Sequence, residues 1–303
     1  MFCQPSFDLS SLEDCSVDSV VTDPCYAAPP IEAWKEVFRV IKPGGHVLVF
    51  AEPSTYHRMA VNIEDAGFEI RDQIMWIYGD GSLKDFEVTS FHESVVVARK
   101  PLEGTVVGNV LRHGTGGINV DGCRVEHANE ADLAASLAKN PGRTDTVTSG
   151  VYGADRPQQR VNLDGRWPAN VIFDRYAGTE LDWQTGHLAA GNRPAKRNYA
   201  SAFAQNKNQQ GAENPGRVDE GGGGSRYFFR AEHTGEERKH GLKPLSLWCY
   251  LLRLVTPAGG VVLDPFNHSR HVFKAASQEG FSVVATSNLP ANPHIPVIVE
   301  QQE

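Results

Sequence analysis

The feature that most limits what this chain can fold into is an alternation of strand-length apolar runs with helical periods, found at both ends and interrupted in the middle. Strand-like runs in the first hundred residues are SVDSVVTDP (16–24), HVLVFAE (46–52), QIMWIYG (73–79) and ESVVVARK (93–100). Between the first two, IEAWKEVFRVI (31–41) repeats Ile31, Trp34, Val37, Phe38 and Ile41 at helical spacing, and KPGG (42–45) reads as its stop. Toward the other end, LSLWCYLLRLV (245–255) is an apolar helix stopped by PAGG (257–260), and GVVLDPF (260–266) is a buried strand. VFKAASQEG (272–280) then reads as a helix and FSVVATS (281–287) as a strand. Strand, helix, strand is the grammar of a doubly wound, Rossmann-like α/β sheet. The middle is rich in Gly, Asn, Arg and Gln, includes GTGG (114–117) and GGGG (221–224), and reads as loop. The expected organisation is one sheet built from residues 1–100 and 243–303, with 101–242 inserted. The strand ending at Asp264 should lie beside the strand ending at Asp23.

Open α/β sheets place their sites at the carboxyl ends of the strands. Asp23-Pro24-Cys25-Tyr26 stands at such an end. A carboxylate there can accept from an exocyclic amine, and an aromatic ring can stack on a base drawn out of a duplex. Taken alone, D-P-x-Y is also a common turn, because Asp before Pro favours an extended bend.

Composition narrows the setting. The five cysteines are scattered without a C-x-x-C pair, which speaks against a zinc site or a disulfide framework and fits reduced thiols. The N-terminus lacks the basic start and apolar core of a secretory signal, and no apolar run approaches the roughly 20 residues of a membrane helix. A cytoplasmic protein away from membranes is expected. The net charge of −8 disfavours a non-specific polyanion binder, yet residues 186–243 carry ten Lys/Arg against six acids. Basic residues among Asn, Gln and aromatics suit phosphate contact and base reading on double-stranded DNA; the plain alternative is a solvated loop. His268 and His271 form an H-x-x-H pair with no nearby third ligand, so no metal site is expected. His233 and His240 are expected on the surface of the insertion.

SVDSVVTDPCY followed by VIKPGGHVLVFAE resembles the catalytic half of the N4-cytosine/N6-adenine DNA methyltransferases, whose signature there is D/S-P-P-Y/F/W. MWIYGDGS (75–82), HESVVVARKPL (92–102), NVLRHGTGGINVDGCRV (109–125), GRWPANVIFD (165–174) and GGSRYFFRAE (223–232) continue the resemblance. KPLSLWCYLLRLVTPAGGVVLDPF (243–266) is similar to the family's cofactor-side helix and strand. The order is the permuted one, catalytic half first. The resemblance implies methyl transfer from S-adenosyl-L-methionine to adenine N6 or cytosine N4. It implies Asp23 and the Pro24 carbonyl as acceptors for the amine and Tyr26 as the stacking ring. Lys243, Pro244, Asp264, Pro265, Phe266 and Ser269 fall on the cofactor side. Departures from the pattern are Cys25, which replaces a proline, and His268 and Arg270, which replace the glycines of D-P-F-x-G-S-G-T. Ser287 or Asn288 stands where an acid would bind the ribose. Glycine is used where positive φ or close backbone approach is required, so the resemblance implies weakened or lost cofactor binding. A DNA-binding protein that no longer methylates is the alternative.

Overall fold

The computed structural model describes residues 8–24, 28–79, 92–130, 132–133, 164–186, 222–266 and 271–285. From the first hundred residues come β1 (Val17–Thr22), α1 (Ile31–Val40), β2 (Ile41–Ala51), α2 (Tyr56–Asp65), β3 (Glu69–Ile77) and β4 (His92–Arg99). The middle contributes α3 (Val106–His113), β5 (Val171–Phe173), α4 (Arg175–Thr185), β6 (Phe229–Arg230) and α5 (Gly235–Lys239). The last described part holds α6 (Leu245–Val255), β7 (Val261–Asp264), α7 (His271–Glu279) and β8 (Ser282–Ala285). Among the described residues no helix is long and apolar enough to cross a membrane.

These strands form one sheet in the order β6-β5-β3-β4-β2-β1-β7-β8. β4 runs antiparallel to β2 and β3, and the other pairings are parallel. Side chains of β2 alternate between two cores. Leu48 and Phe50 pack with Leu247, Trp248 and Leu251 of α6, while Val47 and Val49 pack with Trp34 and Val37 of α1 and Met59 and Ile63 of α2. Helices therefore cover both faces, as the doubly wound reading requires.

β1 is buried along its whole length although Asp18, Ser19 and Thr22 are polar. A strand covered on both faces usually reads as a continuous apolar run, so these groups need partners. They find them near the other end of the chain. Asp18 accepts the Val261 N–H at 2.7 Å and holds the Lys42 ammonium at 2.6 Å. The Ser19 and Thr256 hydroxyls lie 2.8 Å apart, and Thr22 donates to Asp264 at 2.6 Å. The ladder itself sets Ser19 opposite Val262 and Val20 opposite Leu263. The expected neighbourhood of the strands ending at Asp23 and Asp264 is thus present.

Two expectations change. KPGG does not follow α1 as a loop: β2 begins directly at Ile41, and Lys42–Gly45 bulge the ladder between Val17/Ile41 and Ser19/His46. Gly44 makes this turn at φ +78°, where a Cβ would collide with the Asn109 side chain. The middle of the chain is also not one insertion. The chain divides into a unit of residues 1–124, 167–179 and 228–303 and a second unit of 125–166 and 180–227. β5 and β6 extend the sheet past β3 and bury Ile172, Phe173 and Ala231. Strands of two or three residues are too short for period-two alternation to stand out.

In the second unit, buried Asp132 contacts Arg166 at 2.5 Å and Arg226 at 3.4 Å, and both guanidinium groups lie 4.8 Å from the Tyr227 ring centre. Burial pushes the Asp132 carboxyl up, but Arg166 and the Ala128 N–H outweigh it and the net shift is downward. Arg226, counted from sequence with the basic surface, is a buried partner instead. Arg193, Lys196, Arg197, Lys207 and Arg217 lie outside the described residues.

Asp18→Ala removes the acceptor for both Lys42 and the Val261 N–H. Stability should fall by about 2–3 kcal/mol, as expected for losing charge-assisted hydrogen bonds at a buried site. Urea unfolding with an unchanged m-value checks this; a loss below about 0.5 kcal/mol would match an ordinary surface change and show that the tie is dispensable.

Candidate active site

The carboxyl edge of the parallel strands collects Asp23 after β1, Glu52 after β2, Tyr78 after β3, Asp174 after β5 and Asp264 at the end of β7. β4 runs the other way, so its first residues, His92 and Glu93, arrive at the same edge. Lys243 enters from the segment leading into α6. Its ammonium sits 2.6 Å from Asp23 Oδ2, 2.9 Å from Glu93 Oε2 and 4.8 Å from the centre of the Phe50 ring. Asp264 is 1% exposed and accepts from Thr22, the residue before Asp23. Phe266 is buried edge-on to Trp34 at 5.5 Å.

Burial shapes the charges of this cluster. Burial pushes the Lys243 ammonium down, but Asp23 and Glu93 outweigh it and the net shift is upward. For Glu93 burial wins, holding the carboxyl above its ordinary range against the pull of Lys243, with Asp23 and Glu52 adding to the rise. Tyr78 is raised by burial and then by Glu93. Among the described residues, the result is a compact acidic edge around one part-buried ammonium.

Glu237 anchors the approach of Lys243. One carboxylate oxygen accepts the Thr234 N–H at 2.6 Å in a capping box with Thr234, and the other accepts the Leu245 N–H at 2.9 Å. A free N–H at the start of α6 is thereby satisfied. Burial pushes Glu237 up, but these backbone hydrogen bonds outweigh it and leave the carboxyl lowered. His271, at the start of α7, places Nδ1 2.9 Å from the Lys243 carbonyl oxygen.

Of the residues expected from sequence, Asp23, Pro24, Lys243, Pro244, Asp264, Pro265 and Phe266 are described, while Tyr26 and Ser269 lie outside the described residues, as do Cys25, His268, Arg270, Ser287 and Asn288. The Lys243 side chain, placed on the cofactor side by resemblance and counted with the basic surface, lies part-buried against Asp23. Pro244 gives its carbonyl to the Leu247 N–H at the first turn of α6. His233 is not a surface residue: its ring packs on Trp76, 5.6 Å between centres, and Trp76 packs on Tyr78 at 4.6 Å. Sequence reasoning missed Glu93, Tyr78, Glu52 and Glu237. The available signal was an acid opening the otherwise apolar run ESVVVARK.

A cavity of about 440 Å³ lies elsewhere, at the opposite edge, lined by His46, Arg71, Arg99, Trp167 and Tyr250 among others. Burial, with help from Arg99 and Arg71, pushes His46 down to about 4. The convergence of ionised groups points instead to the carboxyl edge.

The sequence profile of a family described as DNA methylase matches residues 17–286. The chain belongs to this N6/N4 DNA methylase family. No curated protein matches the sequence. Among solved structures, the chain is similar to the PvuII DNA methyltransferase (cytosine-N4-specific) at 12% identity, covering 94% of this chain and 80% of that one, TM-score 0.46. It is similar to M1.HpyAVI with S-adenosyl-L-methionine bound at 13% identity, covering 91% and 82%, TM-score 0.42. A putative DNA modification methylase from Thermus thermophilus, also with S-adenosyl-L-methionine bound, is similar at 15% identity, covering 93% and 84%, TM-score 0.44.

Because the Glu237 carboxyl is lowered on folding, its contribution to stability is present above its unfolded value of about 4.5 and is lost as pH falls through the folded value. Glu237→Gln should therefore be less stable than wild type by about 1 kcal/mol near neutral pH, the size of a helix-cap loss. The gap should close in denaturant titrations as the pH is lowered below the unfolded value and through the lowered folded one, where the wild-type carboxylate is itself protonated. A gap that is constant with pH would mean that the carboxylate charge is not what anchors α6.

Proposed function

We propose that the chain methylates the exocyclic amine of adenine (N6) or cytosine (N4) in double-stranded DNA, using S-adenosyl-L-methionine. The observation that carries this reading is the juxtaposition of two carboxylates, Asp23 and Asp264, at the carboxyl ends of hydrogen-bonded parallel strands, tied through Thr22. The charge of the edge suits the cofactor. Among the described residues, the carboxyls of Asp23, Glu52, Glu93 and Asp264 share the edge with one ammonium, that of Lys243, and the cofactor carries a sulfonium and an ammonium. Asp264 and Phe266 are the described residues that would hold it, with Pro265 between them and Lys243-Pro244 opening the adjoining helix. When bound, S-adenosyl-L-methionine supplies an electrophilic methyl group and leaves with the electron pair of the broken S–C bond.

The work of the chain is to make a poor nucleophile attack. The lone pair of an exocyclic amine is delocalised into the base ring. Asp23 and the Pro24 carbonyl accept the amine hydrogens, which draws the nitrogen toward tetrahedral geometry and exposes its lone pair. For each methyl gained the amine sheds one proton, which Asp23 takes and passes to water. Tyr26 stacks on the flipped base. Catalysis here is positioning and electrostatics, with no covalent enzyme intermediate.

Asp23→Ala should abolish amine methylation while DNA binding stays within about a few-fold, because affinity comes mainly from phosphate contacts. Methyl transfer and DNA binding measured on the same preparation check this. A variant that methylates at the wild-type rate would show that the acceptor is another group.

A second reading is favoured by one sequence observation: His268 and Arg270 replace the glycines of the cofactor loop, and no acid stands at Ser287 or Asn288. On this reading the protein binds S-adenosyl-L-methionine weakly or not at all and acts as a DNA-binding relative. Bulky residues where the backbone needs glycine cost on the order of 1 kcal/mol or more each. His268→Gly with Arg270→Gly should then tighten binding by about ten-fold or more in calorimetric titration. Micromolar binding by the wild type, unimproved in the double variant, would end this reading.

A further inference from the structure

Glu93 is a half-buried acid that counts above only toward the charge of the edge, with no step of the methyl transfer assigned to it. We propose that Glu93 is a positioning residue of this site, which holds Lys243 against Asp23 and keeps the Asp23–Lys243–Glu93 cluster at one net negative charge. The inference rests on the amine-methylation reading, since its purpose is to keep Asp23 a strong acceptor.

The geometry is a single ammonium shared by two carboxylates, at 2.6 Å and 2.9 Å. Were Lys243 to meet Asp23 alone, the pair would be neutral and its field at the target amine would largely cancel. With Glu93 included, one negative charge survives. An amine attacking the methyl group that S-adenosyl-L-methionine would supply would gain positive charge at its nitrogen, and a fixed negative cluster beside that nitrogen would stabilise it. Such fields act more strongly in an enclosed site than in water. Glu93 also limits where Lys243 can go: the ammonium binds Asp23 through Oδ2, and the second anchor keeps it from sliding across the whole carboxylate.

The charged and titratable groups facing Glu93 come from each neighbouring element. They are Asp23 after β1, Glu52 after β2, Tyr78 after β3 and Lys243 before α6. Three of these four neighbours are acidic or phenolic, so a purely structural role would be met as well by a neutral side chain. Even a half-buried carboxylate is costly unless paired, and here its one ion-pair partner among the described residues is the same ammonium that holds Asp23. The position depends on strand direction: only an antiparallel β4 brings its first residues to the carboxyl edge.

The test compares wild type with Glu93→Gln and Glu93→Asp. The amide keeps the shape and an oxygen for Lys243 but removes the charge; the shorter acid keeps the charge. In Glu93→Gln, kcat should fall by about ten- to a hundred-fold, with KM for DNA within about a few-fold, and Glu93→Asp should recover part of the loss. Wild-type kcat should drop as pH falls through the raised Glu93 ionisation, and Glu93→Gln should lack that limb because it already sits on the low plateau. A second readout needs no turnover. The Lys243 side-chain NMR signal, assigned by its absence in Lys243→Met, should follow an acidic titration in wild type that Glu93→Gln removes. An unmoved Lys243 signal, or a loss confined to KM or to folding, overturns the role of Glu93. Wild-type protein that methylates no amine overturns the methylation reading itself, and with it this use of the cluster, whatever the NMR signal does.

Discussion

Three polar side chains of one buried strand, Asp18, Ser19 and Thr22, join the two ends of this chain. Each would be costly in that position without a partner, and partners come from Val261, Thr256 and Asp264. The pairing of β1 with β7 is thus specified by satisfied polar groups as well as by apolar burial. A one-residue slip would move Asp18 off the Val261 N–H and turn its side chain to the other face. Everything at the carboxyl edge depends on this register, because Asp23 follows Thr22 and the Thr22 hydroxyl orients Asp264.

Among the described residues, the edge gathers like charges around one ammonium. Asp23, Glu52, Glu93 and Asp264 come from four strands whose only common feature is which edge of the sheet they bring these residues to. Lys243 meets two of them, Thr22 serves a third, and Glu237 secures the segment that delivers Lys243. Local devices account for each placement: a capping box at α5, an N–H at the start of α6 and a histidine at the start of α7 bonded to the Lys243 carbonyl. An acidic edge with one shared ammonium suits chemistry in which positive charge is handed to a neutral amine.

Much of this was legible in the sequence. α1, α6, α7 and most strands announce themselves because their apolar periods run long enough to register, and Asp23 and Asp264 stand out as acids ending apolar runs. α2 did not, because Met59 and Ile63 are its only buried large residues among His57, Arg58, Asn62, Glu64 and Asp65. β5 and β6 were too short. Glu93 was visible as a residue but not as part of the site, since nothing local says that β4 runs backward. His233 looked like a surface residue because its partner, Trp76, lies on a distant strand. Resemblance placed Lys243 on the cofactor side and composition placed it among the basic residues, but only the fold reveals that two carboxylates enclose it.

The central claim is that the edge where β1 and β7 meet transfers a methyl group to an exocyclic nitrogen. Incubating the protein with double-stranded DNA and S-adenosyl-L-methionine labelled in its methyl group, then digesting the DNA to nucleosides for mass spectrometry, tests it most directly. The account predicts label in N6-methyladenine or N4-methylcytosine. Label at carbon 5 of cytosine, which requires a thiol nucleophile, or no labelled nucleoside at saturating cofactor, would contradict it.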